Sequence, residues 1–332
     1  MSSEFVYGPV PSRRLGESLG IDPVPFKTCN WNCVYCQLGR TSPPVTERRE
    51  YAPAQQIVSE VTAAVSQHSA GKIDWITFVG SGEPTLHSKL GWMIRQVKSM
   101  TELPIAVITN GSLLSLPSVR RELLAADSVL PSLDGGSEAV FLAVNRPHAA
   151  LSFESHVEGL VRFRKEYKGK LWVEVMLIRG LNDSEQSLTD LGAVLRRVQP
   201  DQIHLNVPIR PPCEPWVKPT ENDQLMRAVV ILGEVAHVVQ PIEGDFDLGG
   251  FDDVVDAILA VISRHPMRQT ELVTTLKRWS PHTVGDALVR LRESGRAQIV
   301  TRFGERFWSC ASARYVDGEP KRGQEGMKGE DG

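Results

Sequence analysis

Apolar positions along the first two thirds of the chain alternate between two rhythms. Residues 54–67 carry Ile57, Val58, Val61, Ala64 and Val65 at helical spacing, which predicts an amphipathic helix. Residues 72–79 (KIDWITFV) form a β-branched and aromatic run that stops at Gly80-Ser81-Gly82, a strand followed by a tight turn. The alternation then predicts helices over 86–100, 116–125, 153–167 and 184–198, and strands over 105–109, 128–133, 171–178 and 202–207. With an initial strand near 19–25 this makes about six βα units. Continuous apolar strands between amphipathic helices predict a parallel sheet covered on both faces. Six units fall short of the eight of a closed barrel, so an open or partial barrel is expected.

The rhythm changes after 243–250 (EGDFDLGG), an acid- and glycine-rich stretch read as a linker. Helices are expected over 252–263, 268–279 and 282–294, the last opened by Ser280-Pro281 and ended by Gly295. Segments 297–300 and 306–309 flank Phe303-Gly304-Glu305 as a hairpin. Three helices and a two-stranded wing look like a winged helix-turn-helix. The expected organisation is a barrel domain over 1–242, the linker, a winged helix over 251–316, and a charged, glycine-rich tail over 317–332 expected to be disordered. No repeat of about 20 to 50 residues is present.

Composition mainly excludes. Hydrophobic residues at 41% and charged residues at 23% of 332 rule out a disordered, collagenous or coiled-coil chain. A net charge of −3 gives no global basicity for nucleic acid, so such binding would need a local patch. No apolar run is long enough to span a bilayer, and the first residues lack the apolar stretch of a secretory signal. Arg13-Arg14 is followed by acids and glycines rather than a twin-arginine context. Five cysteines do not describe a disulfide scaffold, and a reducing cytoplasm is the expected setting.

Three of those cysteines, Cys29, Cys33 and Cys36, fall on one short loop just after the expected first strand, at the rim where parallel α/β folds carry their active sites. A structural zinc wants four N or S ligands, and the nearest downstream histidine is His68. An iron–sulfur cluster on three thiolates leaves one iron open. A chance grouping of cysteines is the remaining reading.

The segment CNWNCVYC resembles the Cx3Cx2C loop of the radical S-adenosylmethionine (SAM) enzymes, including Tyr35 before the third cysteine. The likeness continues at later strand ends: Gly80-Ser81-Gly82-Glu83-Pro84-Thr85-Leu86, Ile108-Thr109-Asn110-Gly111 and Ser132-Leu133-Asp134. GPVPSRRLG near the start is similar to the group of wyosine-base tRNA enzymes, as are Asn145-Arg146-Pro147-His148, 178–183 and Arg210-Pro211-Pro212. The resemblance implies a partial (β/α)6 TIM-type barrel, a [4Fe–4S] cluster on Cys29, Cys33 and Cys36, and SAM held by Tyr35, Gly80, Gly82, Glu83, Asn110, Ser132 and Asp134. It implies an oxidoreductase-type enzyme that cleaves SAM reductively to a 5′-deoxyadenosyl radical. Its reductant would be an electron donor such as flavodoxin or ferredoxin. One departure matters. The wyosine enzymes carry a second cluster on additional N-terminal cysteines, whereas here none precedes Cys29 and only Cys213 and Cys310 follow Cys36. Imidazoguanosine synthesis is therefore not expected.

Glu83 has a second reading as a helix N-terminal acid, and Asn110 and Asp134 as turn formers. Arg179, Asn182, Asn206 and Arg210, at the ends of the fifth and sixth strands, are expected to face the cavity or to pair with nearby acids. Cys213 reads as a plain loop cysteine, or as a hydrogen donor or adduct site, and Cys310 as structural. Residues 251–316 hold ten Lys and Arg against seven Asp and Glu. Arg290, Arg292, Arg296, Arg302 and Arg306 suit phosphates, so nucleic acid (including tRNA) or a peptide is a candidate partner of the winged helix; a solvated face is the alternative. The competing function is a DNA-binding regulator that senses an iron–sulfur cluster or SAM. A zinc-stabilised binding protein is the third reading.

Overall fold

The computed structural model describes residues 4–240, 246–248 and 251–317. Its main sheet has eight strands in sequential order: β1 (Val6–Ser12), β2 (Gly16–Ile21), β3 (Trp75–Phe78), β4 (Ile105–Thr109), β5 (Ser128–Pro131), β6 (Lys170–Met176), β7 (Gln202–Asn206) and β8 (Ala236–Val238). β1 runs antiparallel to β2, and every later neighbour pair is parallel. Helices α1 (Ala54–Gln67), α2 (Leu90–Met100), α3 (Pro117–Leu123), α4 (Glu138–Asn145), α5 (Phe153–Glu166), α6 (Glu185–Val198) and α7 (Asn222–Leu232) fill the crossovers. The βα units from β2 to β7 match the sequence expectation.

Strand β4 shows why these runs are apolar throughout. Ile105 and Val107 join the large core under the helices, while Ala106 and Ile108 join Leu15, Leu130, Trp75 and Trp172 on the inner face. Both faces are buried, so period-two alternation is absent.

Two differences from the sequence reading concern the edges. The initial strand is Gly16–Ile21 rather than 19–25, and an antiparallel β1 precedes it. Pro9 and Pro11 hid β1, because proline argues against a strand except at an edge, which is where β1 lies. The short β8 adds a parallel strand after the sixth unit.

A second hydrophobic core unites α8 (Val254–Ile262), α9 (Gln269–Thr275), α10 (Pro281–Glu293) and a three-stranded sheet in the order β10 (Ala297–Arg302), β11 (Glu305–Cys310), β9 (Met267–Arg268). Ser280 accepts from Thr283 N and Pro281 opens α10, as the sequence indicates. Most of the expected linker at 243–250 and tail at 317–332 lies outside the described residues. Among the described residues no helix is long and apolar enough to cross a membrane.

Candidate active site

The long loop between β2 and α1 carries the three cysteines across the C-terminal ends of the parallel strands. Backbone hydrogen bonds hold it on two sides. Asn32 N donates to Asn145 O (3.0 Å) and Val34 N to Val144 O (2.9 Å), using carbonyls left free at the end of α4. On the other side Glu83 N donates to Thr28 O (2.8 Å). A Cβ on Gly82 would lie 2.0 Å from that same Thr28 O, so the glycine is required by the approach of the cysteine loop itself. At Gly80 a Cβ would lie 2.9 Å from Asp22 Oδ1.

Each thiol has a nitrogen donor at hand. Lys27 Nζ donates to Cys36 Sγ (3.1 Å), Asn110 Nδ2 approaches Cys29 Sγ (3.8 Å) and Asn145 Nδ2 approaches Cys33 Sγ (3.7 Å). Burial pushes the Cys29 thiol up to about 12, with Glu83 adding to it, and holds Cys33 well above its ordinary value, with Asp134 adding. Burial alone would lower the Lys27 ammonium, but Cys36, Cys29 and Cys33 together raise it. Thiols in this setting give up their protons to a metal centre that supplies positive charge.

The remaining expected residues form a scaffold around the thiols. Glu83 is 1% exposed and both oxygens are taken: Oε1 accepts from Thr85 N (2.9 Å), Thr85 Oγ1 (2.6 Å) and Thr109 Oγ1 (2.6 Å), and Oε2 from Asn110 N (2.6 Å). It caps the 3₁₀ turn Pro84–Leu86, the second of its two sequence readings. Burial raises its pKa against those four donors. Asp134 likewise accepts from Tyr35 OH (2.7 Å) and Asn145 Nδ2 (2.6 Å) on Oδ2 and from Met176 N (2.8 Å) on Oδ1; burial pushes it up to about 6. Tyr35 is thereby fixed through its hydroxyl. Asn110 Nδ2 also donates to Asn30 Oδ1 (2.7 Å). Half-buried Ser132 sits at the end of β5, its backbone joined to Thr109 O and His156 Nε2.

Other expected residues are used elsewhere. Asn182 is buried and locks backbone, donating to Asp134 O and Met176 O (2.7 and 2.8 Å) and accepting from Ile178 N (2.7 Å). Arg179 is exposed and pairs with Glu221 (3.1 Å). Asn206 accepts from Arg14 Nη2 (3.5 Å), and Arg210 donates to Pro266 O (2.7 Å). Cys213 is buried, its thiol donating to Cys33 O (3.3 Å) and Val34 O (3.2 Å), which is the plain structural reading. Cys310 is buried against Ser312. Arg302 corrects the expectation for the wing: it is 7% exposed and turned inward, donating to Pro212 O, Cys213 O and Val316 O. Its guanidinium replaces hydrogen bonds that a loop carbonyl cannot find in its own segment. Arg290, Arg292, Arg296 and Arg306 are exposed as expected.

Sequence reasoning gave no role to Lys27, Asn30, Asn145 or Glu214. Asn145 opens the segment Asn-Arg-Pro-His quoted above, and Asn30 stands inside CNWNC, so both carried a signal. Glu214 is tied to the cysteine loop only in space: its carboxylate accepts from Arg40 (2.7 and 3.0 Å) and from Arg146.

The donor set suits an iron–sulfur cluster. It offers three thiols and amide and ammonium donors aimed at sulfur, while the nearest further cysteine, Cys213, is committed to backbone. Among the described residues no group of three or more His, Cys, Asp or Glu converges to hold a single metal ion. A cluster whose irons each take one thiolate asks for no such convergence.

The family model of the radical SAM superfamily matches residues 24–191. UPF0026 protein MJ1312 of Methanocaldococcus jannaschii is 37% identical over 278 residues, covering 82% of this chain and 86% of that protein. A UPF0026 protein of Helicobacter pylori is 31% identical over 273 residues, covering 80% and 86%. The crystal structure of a radical SAM methyltransferase from Sphaerobacter thermophilus shares the fold, with a TM-score of 0.50 at 18% identity over 67% of this chain and 66% of that one. The chain belongs to the radical SAM superfamily, whose cofactors are a [4Fe–4S] cluster and SAM.

Proposed function

We propose that this protein is a radical SAM enzyme in which Cys29, Cys33 and Cys36 hold the cluster and the ends of β3, β4 and β5 hold SAM. The observation that carries this reading is the trio of thiols on one loop with no fourth cysteine free to join them. A [4Fe–4S] cluster held by Cys29, Cys33 and Cys36 would supply the electron for reductive cleavage of SAM, the radical chemistry of the superfamily. The protein's own part is positioning. Glu83 ties the end of β3 to Thr109 and Asn110 at the end of β4, and Asp134 ties β5 to Tyr35 and to Met176 of β6. These links fix the strand ends against the cysteine loop, which orients reactants and limits water.

The kinship with the wyosine-base group stays a proposal resting on sequence segments. Residues 6–16 of that likeness form β1, its turn and the start of β2. We read α8–α10 with β9–β11 as a winged helix whose exposed Arg290, Arg292, Arg296 and Arg306 suit a nucleic acid such as tRNA, or a peptide. The five free cysteines suit a reducing, cytoplasmic setting. A second reading, a regulator that couples cluster state to DNA binding, is favoured by one feature: the segment after β11 lies against the cysteine loop, with Arg40 N donating to Arg314 O (2.6 Å).

The deciding experiment is anaerobic cluster reconstitution followed by SAM and dithionite, with 5′-deoxyadenosine quantified for wild type and Cys33→Ala. Deoxyadenosine from wild type alone supports the enzyme. A four-iron protein that cleaves no SAM yet binds DNA in a cluster-dependent way supports the regulator. Zinc in place of iron sinks both.

A further inference from the structure

The nitrogens that reach the loop thiols differ in charge. Trp31 N (3.4 Å) and Asn110 Nδ2 (3.8 Å) on Cys29, and Asn145 Nδ2 (3.7 Å) on Cys33, are neutral amides. Lys27 Nζ on Cys36 is a cation, and at 3.1 Å it makes the shortest of these contacts. Among the described residues no ion pair joins Lys27 to a carboxylate, and the contact with Cys36 is its side chain's hydrogen bond. The other two thiols lie near acids instead. Asn145 Nδ2 also donates to Asp134 Oδ2 (2.6 Å), and Asn110, whose side chain approaches Cys29, donates through its backbone N to Glu83 Oε2 (2.6 Å). The field across the loop is therefore uneven, with carboxylates beside Cys29 and Cys33 and a cation on Cys36.

The backbone at Lys27 is held in an unusual shape. Its φ is +60°, in the left-handed region that a lysine adopts only at a cost. Lys27 N donates to Ser81 O (2.7 Å) and Thr28 N to Pro25 O (3.0 Å), which fix that conformation against the segment after β3. A turn that needed the conformation alone would be less strained with glycine. The half-buried side chain lines a cavity with Thr28, Arg40 and Arg314, and its head stands where that cavity meets the thiols.

Hydrogen bonds from a charged donor are stronger than those from a neutral one. The potential of an iron–sulfur cluster follows its net charge, the hydrogen bonds to its sulfurs and its exposure. One-electron reduction adds one negative charge and transfers no atom. A fixed cation on one ligand sulfur stabilises the reduced form over the oxidised form, and carboxylates beside the other two sulfurs do the opposite.

We propose that Lys27 sets the reduction potential of the cluster carried by Cys29, Cys33 and Cys36, offsetting the buried carboxylates Glu83 and Asp134. The inference rests on the radical SAM reading for the cluster itself and names the side chain that governs how readily it accepts an electron. Lys27 acts through the Cys36 sulfur, as a tuning residue.

The test uses the full chain, anaerobically reconstituted and without SAM. Dithionite is the reductant, mediators poise the solution at the wild-type midpoint, and the paramagnetic resonance signal of the reduced cluster is integrated. Wild type is compared with Lys27→Met, Lys27→Gln and Lys27→Arg, each with its iron content per chain. The ratio of reduced to oxidised cluster should fall at least about tenfold in both neutral variants, about 59 mV for a one-electron couple, and stay within about threefold in Lys27→Arg. If only Lys27→Met fails to load iron, Lys27→Gln carries the comparison. An unchanged ratio in the loaded neutral variants overturns the proposal, and so does an equal fall in Lys27→Arg, since charge would then not be the cause. Loss of iron from both neutral variants also overturns it, because Lys27 would then serve to hold the loop together. Wild type that takes up no iron overturns this inference and the radical SAM reading together. Wild type that holds a cluster yet yields no deoxyadenosine with SAM overturns the radical SAM reading alone.

Discussion

The Tyr315 hydroxyl donates to Gln37 O at 2.5 Å, tying the last described segment of the chain to the residue next to Cys36, the third cysteine of the loop. Two further links reinforce it: Arg302 joins Cys213 O to Val316 O, and Cys213 holds Cys33 O and Val34 O. The cysteine loop is thus clamped by residues almost 280 positions downstream.

Tyr315→Phe removes that hydroxyl and leaves Gln37 O short of its donor. A lost hydrogen bond of this kind costs about 1 kcal/mol. The loop should open more often, so iron should pass to a chelator faster from the reconstituted variant than from wild type. Equal release rates in the two proteins would show that the clamp does not guard the cluster.

Gly82→Ala tests the approach of β3's end to the cysteine loop. The new methyl would meet Thr28 O at 2.0 Å, and backbone rather than a flexible side chain must yield. Overpacking of this order costs about 1 to 3 kcal/mol. The variant should fold with a lower Tm and bind less iron after reconstitution. A wild-type iron content would mean that the loop tolerates displacement and that Gly82 is not needed for it.

The parallel sheet and the cysteine loop were legible because each has a local signature: continuous apolar strands, and three cysteines within eight residues. β1 was not, because its two prolines speak against a strand until an edge position is known. Arg302 misled for another reason. Its charge and its place beside the hairpin turn suggested phosphate binding, and only the folded chain reveals the carbonyls of Pro212, Cys213 and Val316 that it satisfies. Glu83 and Asp134 were singled out as SAM contacts at strand ends; they follow β3 and β5, and the partners they have in the fold include side chains and backbone groups far away in sequence. Spacing cannot report such contacts.

His156 makes acid stability predictable. It is 2% exposed, packed between Trp31 and Phe141, and its Nε2 lies 3.1 Å from Ser132 O. Burial lowers it from 6.5 to about 4. The folded state therefore favours neutral imidazole and the unfolded state takes the proton first. Stability from this group is intact above about pH 6.5 and is lost as pH falls towards 4, by about 3 kcal/mol in all. In His156→Gln the urea midpoint should fall less steeply with acid than in wild type across that window. An unchanged slope would mean that His156 does not carry the proton uptake.

The last expectation concerns the electron donor. A cavity of about 520 Å³ beside the cysteine loop is lined by Lys27, Arg40, Arg49 and Arg314, with Glu47 as its one acid. Lys27 also touches Cys36, so this basic hollow reaches the thiols directly. An acidic protein such as a flavodoxin or ferredoxin would be steered there in a chain whose overall net charge is −3. Arg49 and Arg314 are exposed, so reversing their charge leaves the packing around the thiols alone. The double variant Arg49→Glu, Arg314→Glu should be reduced by flavodoxin about tenfold more slowly at low salt, with the gap closing as ionic strength rises. Reduction by dithionite should reach the same endpoint in both proteins. If flavodoxin reduces the variant as fast as wild type at low salt, the donor docks elsewhere.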